Sequence, residues 1–134
     1  MKLSALILVV LTLLSCLGCG GETGPKLVKA HGTVTKGGEV LQVAGRDIGV
    51  GMVQLEFIPA EGNPATETYG AVVDAEGKFD MPGGMPPGKY KVAVRQWDPY
   101  PQTDKLGGKF AATATPIVRD VTGDQPIEID LDKL

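Results

Sequence analysis

Short runs of alternating apolar and polar residues dominate the chain after residue 27. Residues 28–35 alternate in this way, and residues 52–58 place Val53, Leu55 and Phe57 on one side. Alternation with a period of two is typical of strands that bury one face. Related patterns recur at 66–73, 78–81, 86–97 and 126–132. No helical periodicity of useful length interrupts them, so we expect six or seven short strands.

Glycine, proline and aspartate separate these runs. The pair Gly37 and Gly38 predicts a turn after the first strand, and DAEG (74–77) predicts a second, with Gly77 at the position that tolerates a positive φ. We expect residues 78–81 to return beside 66–73 as a hairpin. Short strands separated by such turns favour an all-β fold, an antiparallel β-sandwich of about seven strands.

Two segments do not follow the alternation. Residues 42–49 (QVAGRDIG) resemble an insertion, which we interpret as a short edge hairpin. Residues 98–115 form a long connection with few strand signals, and connections of that length are often functional or mobile. Arg119 also interrupts an apolar stretch at 117–121, which leaves the local register open.

The N-terminus reads as an export signal. Lys2 precedes an apolar run of roughly a dozen residues at 3–14, which is long enough for a secretory h-region and short of a membrane span. We therefore divide the chain into a signal and lipidation region at 1–19, a flexible tether at 20–27 and one domain at 28–134.

Both cysteines lie at the end of this apolar run, in LLSCLGCGG (13–21). A redox pair belongs at a helix N-terminus, and a zinc site needs about four ligands, so both hypotheses are disfavoured. A lipobox explains the small and aliphatic residues that precede the thiol. LLSC favours Cys16 as the lipidated residue, and CLGC leaves Cys19 as the alternative. Two or more acyl chains, such as palmitate, would anchor the protein stably. A cleaved signal with incidental cysteines is the remaining alternative.

Charge and residue inventory exclude several kinds of chemistry. The formal net charge is -3 and no basic block occurs, so a nucleic-acid partner is not expected. His31 is the one histidine and falls on a polar strand face, where a solvated side chain is the simpler interpretation. Asp74 and Glu76 are too few for Ca²⁺ and suit a turn. We expect no catalytic residue, no metal and no cofactor.

One candidate contact surface stands out, WDPYP (97–101). It carries the single tryptophan, Trp97, and one of three tyrosines, Tyr100. Flat aromatic side chains can stack on sugars or anchor a protein partner. A carbohydrate-binding role requires the two rings to be coplanar and exposed. The simpler interpretation is that Trp97 covers the end of the core.

Four stretches carry a family resemblance: HGTVTKGGEVL, VQLEFIP, VVDAEGKF and MPPGKYKVAV. Together with GKF at 108–110 and TPIVRDVTGDQPIEIDL, they resemble the carboxypeptidase regulatory-like, transthyretin-like β-sandwich domain, over about residues 28–133. The chain is similar to small bacterial lipoproteins built from a lipobox and one such domain. The 42–49 insertion and Arg119 depart from the pattern.

The resemblance implies a transthyretin-like or immunoglobulin-like sandwich and assigns no catalytic residue. The hydroxyisourate hydrolases on this fold use several histidines and a basic C-terminus, whereas this chain has His31 alone and ends in DLDKL. We therefore expect a non-catalytic, membrane-anchored envelope lipoprotein that acts as a binding or structural module. Its partners would be the membrane and an envelope protein or glycan. The alternatives are a carbohydrate-binding module using Trp97 and Tyr100, and an accessory component of an envelope enzyme or transport system. Neither cysteine precedes an aspartate, which favours an outward, periplasmic or surface-facing location.

Overall fold

The computed structural model describes Gly21 and residues 24–134. Eight strands make up the domain: β1 (Val28–Lys36), β2 (Glu39–Val40), β3 (Met52–Pro59), β4 (Tyr69–Val73), β5 (Lys78–Met85), β6 (Gly88–Trp97), β7 (Val118–Val121) and β8 (Ile127–Asp130). One 3-10 turn, Arg46–Ile48, lies between β2 and β3. Within the described residues, no helix has the length and apolar character needed to cross a membrane.

The strands form two sheets packed face to face. The first sheet has β1 at its centre, with β5 and β2 on one edge and β8 on the other. The second sheet has the order β4-β3-β6-β7 and is antiparallel throughout. The predicted all-β sandwich is therefore confirmed. The pairing of β8 with β1 is parallel, which the sequence pattern did not predict.

The inward positions are the ones that the alternation predicts. Phe57 of the second sheet packs on Phe79 of the first, with ring centroids 5.8 Å apart, and on Tyr90 edge-on at 6.3 Å. The buried apolar cluster also includes Ala30, Val34, Val53, Leu55, Val73, Met81, Met85, Val92, Val94, Phe110, Ile117, Val121, Ile127, Ile129 and Leu131. Burial of these side chains supplies most of the driving force for folding.

Tyr90 places one polar group inside this core. Its hydroxyl donates a hydrogen bond to the Pro86 carbonyl oxygen at 2.7 Å, which satisfies the buried group. Burial raises the pKa of the Tyr90 phenol above its ordinary value, because the charged form would lose its hydration. The phenol therefore keeps its proton at physiological pH, and its O–H group remains a hydrogen-bond donor.

The turn at 37–38 is confirmed. Gly37 and Gly38 both have positive φ, 61° and 82°, and close the β1–β2 hairpin between Lys36 and Glu39. This geometry is the two-residue turn that glycine favours. The short strand β2 was not predicted from the sequence because two residues carry too little alternation to detect.

The predicted hairpin between 66–73 and 78–81 is wrong beyond its turn. β4 begins only at Tyr69 and pairs with β3, whereas β5 pairs with β1 in the opposite sheet. The DAEG turn therefore carries the chain from one sheet to the other. The alternation that predicts the strands does not specify which strand lies beside which, so it could not distinguish these pairings from a simple hairpin.

The 42–49 segment is not an edge hairpin. It forms an irregular turn followed by the 3-10 turn at Arg46–Ile48. The Arg46 guanidinium holds the segment in place by donating hydrogen bonds to the carbonyl oxygens of Val73 and Leu41. The bond to Leu41 is 3.2 Å long. Arg46 thus ties the end of β4 to the chain that leaves β2, across the two sheets.

The 98–115 connection is irregular, as predicted, and is closely packed on β6. The Asp104 carboxylate accepts hydrogen bonds from the backbone N–H groups of Gln96, Leu106 and Gly108 at 3.0–3.1 Å. Phe110 is buried and its carbonyl oxygen accepts from Val94 N–H at 2.9 Å. This long loop therefore completes the edge of the second sheet.

Candidate functional site

The 42–51 segment and the 97–101 loop meet at one end of the sandwich. Tyr100 N–H donates to the Val50 carbonyl oxygen at 2.7 Å, and Ala44 N–H donates to the Asp98 carboxylate at 3.2 Å. A third bond joins the Gln96 side-chain amide to the Gln42 carbonyl oxygen at 2.7 Å. Two segments far apart in sequence therefore form one surface, which we call the tip.

Apolar side chains are exposed at the tip. Ile48 is 76% exposed, Tyr100 45% and Val50 42%. Gly45 and Gly49 adopt positive φ on either side of the 3-10 turn, and this conformation presents Ile48 to solvent. Single exposed apolar side chains are common on proteins, whereas clusters of them mark interaction sites.

Trp97 borders the tip from the outer face of the second sheet. Its indole N–H donates to the Gln54 side-chain oxygen at 2.9 Å, and the Arg95 guanidinium carbon lies 5.2 Å from its ring centroid. Tyr90, Val92 and Val94 of β6 point inward. Because side chains alternate along a strand, Trp97, three residues after Val94, points outward. The interpretation that Trp97 covers the end of the core is therefore wrong.

The two aromatic rings of the candidate surface touch but are not coplanar. Trp97 and Tyr100 meet edge to face, with centroids 5.8 Å apart and planes at 87°. Trp97 is half-buried and Tyr100 is exposed. A flat sugar-stacking platform would need both ring faces in one plane, and this pair does not provide one.

The tip lies at the end of the domain opposite the point where the chain enters. Val28, the first residue of β1, pairs with Met85 and neighbours Gly123, whereas Thr35 at the other end pairs with Val40, just before the tip segment. At about 3.3 Å per residue, the nine residues of β1 separate the two ends by roughly 26 Å. A domain tethered at residue 27 would therefore present the tip away from its tether.

The other sequence-predicted positions lie apart from the tip. His31 is exposed on the outer face of the first sheet, opposite Asp80 in the register, as the solvated interpretation expects. It borders an open groove of about 840 Å³ that also includes Thr33, Val72 and Lys78. The groove is shallow, and no hydrogen bond joins the His31 imidazole to another side chain among the described residues.

Asp74 and Glu76 serve the turn in which they lie. The Asp74 carboxylate accepts hydrogen bonds from the N–H groups of Glu76 at 2.9 Å and Lys78 at 2.8 Å. This arrangement is an Asx turn, which the residue types favour. In the part of the chain that the structure describes, no three His, Cys, Asp or Glu side chains group as metal ligands would.

Cys16 and Cys19, the predicted lipidation sites, lie outside the described residues, as does the signal region at 1–19. No family model, curated protein or solved structure matches the chain. The functional argument therefore rests on the geometry of the tip and on the sequence pattern of the N-terminus.

Sequence reasoning found Trp97 and Tyr100 and missed the partners that complete the surface. Ile48 and Val50 belong to the 42–49 segment and its exit, which had been interpreted as an edge hairpin. A signal was available, because Ile48 and Val50 flank Gly49 in a segment without a strand pattern that would bury them. The contact with Tyr100 depends on the tertiary fold.

Proposed function

We propose that the chain is a non-catalytic lipoprotein of the cell envelope, anchored to a membrane through Cys16 or Cys19, whose β-sandwich acts as a binding module. The observation that carries the binding role is the exposed apolar cluster of Ile48, Val50 and Tyr100 at the tip. The lipobox-like LLSC and CLGC segments support the anchor. The sandwich would then hold the tip away from the membrane, toward a protein of the envelope.

The tip has the composition that protein interfaces favour. Tyr100 lies beside Trp97, whose ring is fixed by Gln54 and stacked by Arg95. Tryptophan, tyrosine and arginine are the residues most often found at the centres of interfaces. Fixed side chains also lose less entropy when a partner binds.

The anchor is tested by expressing the full chain in a bacterial host and measuring the mass of the mature N-terminus. We expect a diacylglyceryl cysteine as the first residue and partition into the detergent phase. Cys16→Ser and Cys19→Ser, made separately, identify the sulfur that carries the lipid. Full membrane partition of the double variant would contradict the lipoprotein assignment.

The binding role is tested with the soluble domain, residues 24–134, immobilised and exposed to solubilised envelope extract. Ile48→Asp with Tyr100→Ser removes the apolar cluster, and Val118→Asp is the matched control, since Val118 is 43% exposed on β7. We expect one protein to be retained by the wild-type and control domains and lost from the tip variant. Its purified form should bind the wild type with a measurable dissociation constant, and equal binding to the tip variant would refute the proposal.

The same experiment separates the other two roles. Retention of glycan instead of protein would favour a carbohydrate-binding module, although the perpendicular rings of Trp97 and Tyr100 do not form a stacking platform. Retention of an enzyme or transporter subunit would identify the domain as an accessory component of that system.

A further inference from the structure

The DAEG turn opens into a gap between β4 and β5. At the turn, Asp74 N–H donates to the Lys78 carbonyl oxygen at 2.8 Å, which is the first bond of an antiparallel hairpin. Continued pairing would place Val72 opposite Asp80. Instead the two strands separate, because β4 joins the sheet of β3 and β5 joins the sheet of β1.

The ladder in the second sheet shows which groups of β4 face this gap. Ala60 N–H donates to the Lys89 carbonyl oxygen, so the even-numbered residues of β3 bond to β6 and the odd-numbered ones bond to β4. The partners of those odd residues on β4 are Tyr69, Ala71 and Val73. Gly70 and Val72 lie between them and direct their N–H and C=O groups away from β3.

The same reasoning applies to β5. Val34 N–H donates to the Gly77 carbonyl oxygen, and both backbone groups of Lys78 bond to Asp74, on the side away from β1. Two residues further on, Asp80 has the orientation of Lys78, so its N–H and C=O also face the gap. No hydrogen bond among the described residues uses the backbone groups of Gly70, Val72 or Asp80 on this side.

β4 lacks the features that protect the other edge strands of the two sheets. Its sequence, YGAVV, contains no charge and no proline, and Val72 is 58% exposed. By contrast, β5 contains Pro82, β7 contains Arg119 and β8 contains Glu128. Edge strands without charge or proline readily accept another strand.

The gap is concave and follows the open edge. A cavity of about 330 Å³ is lined by residues 68–70 on the β4 side and 80–84 on the β5 side. It continues toward the turn into the larger groove that Val72, Lys78 and Asp80 border. The unpaired donors and acceptors of Gly70 and Val72 match those of one extended chain, whereas a second sandwich would have to bring its own edge between β4 and residues 82–84.

We propose that this cleft binds an extended segment of a partner protein, which pairs as an additional strand with Gly70 and Val72 of β4. The backbone groups of these residues supply two donors and two acceptors along the strand, and Asp80 supplies one more of each across the gap. Backbone pairing of this kind gives affinity with little sequence selectivity, and alternate side chains of the segment would enter the cavity. The cleft lies on a long side of the sandwich and is independent of the tip and of the lipid anchor.

The probe is a phage-displayed library of random dodecapeptides, selected on the domain comprising residues 24–134. Recovered sequences are synthesised and titrated by fluorescence anisotropy against the wild type and two variants. Val72→Pro removes a donor that faces the cleft and leaves the bonds of β4 to β3 intact, and proline is tolerated at such edge positions. Val72→Thr is the matched control, because it keeps the N–H group and the strand preference.

We expect peptides that bind the wild-type domain and V72T with dissociation constants within about threefold, and V72P at least about tenfold more weakly. Bound peptide should slow hydrogen exchange of the Gly70, Val72 and Asp80 amides and leave those of Ile48 and Tyr100 unchanged. If V72P does not fold, the wild-type domain is titrated with a peptide that is N-methylated at alternate residues. This peptide lacks the N–H groups that would pair with β4, so it should also bind more weakly than the unmethylated peptide.

Four results would overturn the proposal. The first is recovery of no binding peptide, and the second is equal binding of the peptides to V72P. The third is protection of the tip amides by bound peptide. The fourth is a wild-type dimer that V72P converts to a monomer, which would assign the edge to a second copy of this chain. Loss of partner capture by the tip variant is measured separately, so each proposal can fail alone.

Discussion

At the two long sides of the sandwich, the edges of the two sheets meet in different ways. On one side β8 lies against β1 in parallel, and Arg119 of β7 donates to the Glu128 carbonyl oxygen of β8 at 3.2 Å, joining the two sheets. On the other side β4 and β5 share one backbone bond at their turn and then separate. The first side is closed by a glycine and an arginine, and the second is left with unpaired backbone. A sandwich of this size therefore needs specific contacts to close an edge.

The largest effect is expected at Gly32, on the closed side. A Cβ at this position would collide with the Ile127 carbonyl oxygen and lie 2.7 Å from its carbonyl carbon. Gly32→Ala should force β8 away from β1 and lower the free energy of unfolding by about 3 kcal/mol or more. Urea denaturation followed by circular dichroism measures it.

Gly83→Ala on the open side is the control for this prediction. Nothing lies within 4 Å of a Cβ added at Gly83, so the change should stay within about 0.5 kcal/mol of the wild type. Similar unfolding midpoints for the two variants would show that the β1–β8 contact does not close this edge.

The next largest effect is expected at Asp74, in the turn that joins β4 to β5 on the open side. Asp74→Ala removes the acceptor for Glu76 and Lys78 N–H and should destabilise the domain by about 1–2 kcal/mol. Asp74→Asn keeps a side-chain oxygen and should cost less. Thermal unfolding compares the two, and an equal loss would mean that charge, rather than hydrogen bonding, is what the turn requires.

A smaller loss of stability is expected at Arg119, which joins the two sheets on the closed side. Arg119→Met keeps the apolar stem and loses the bonds to the carbonyl oxygens of Glu128 and Val118. Because the side chain is partly exposed, we expect a loss of about 1 kcal/mol or less, together with faster hydrogen exchange in β8. Unchanged exchange in β8 would assign the closure to Gly32 alone.

The smallest effect is a pH dependence at Asp130, the last residue of β8. Hydrogen bonds from the backbone N–H groups of Asp132, Gly37 and Gly38 lower its pKa below the ordinary 3.8. A carboxyl whose folded pKa is depressed stabilises the fold above its unfolded pKa, and this contribution is lost as the pH falls through the folded value. Asp130→Asn should therefore be less stable than the wild type at neutral pH, and the difference should shrink below about pH 3.8 in urea titrations.

The alternation of apolar residues predicted most of the sandwich. The inward residues Val53, Leu55 and Phe57 on β3 are buried as expected, and so are Ile127 and Ile129 on β8 and Leu131 just after it. Alternation shows which face of a strand is buried, but it contains no information about its neighbours. The hairpin predicted between 66–73 and 78–81 was wrong for this reason.

The candidate site was predicted only in part. Trp97 and Tyr100 were found because aromatic residues between prolines in a loop are conspicuous in sequence. Ile48 and Val50 were missed, since their closeness to Tyr100 comes from a bond between segments that lie about fifty residues apart. The perpendicular packing of the two rings was also beyond the reach of sequence patterns.

The sequence by itself determined all the longer strands, their buried faces, the glycine turn at 37–38 and the lipobox-like segment around Cys16 and Cys19, because these depend on neighbouring residues. Only the tertiary structure decided that β8 runs parallel to β1, that the DAEG turn changes sheets and that two irregular segments share a tip. Those features depend on which strands become neighbours. The free-energy difference between alternative pairings comes from contacts throughout the core, so no short stretch of sequence contains it.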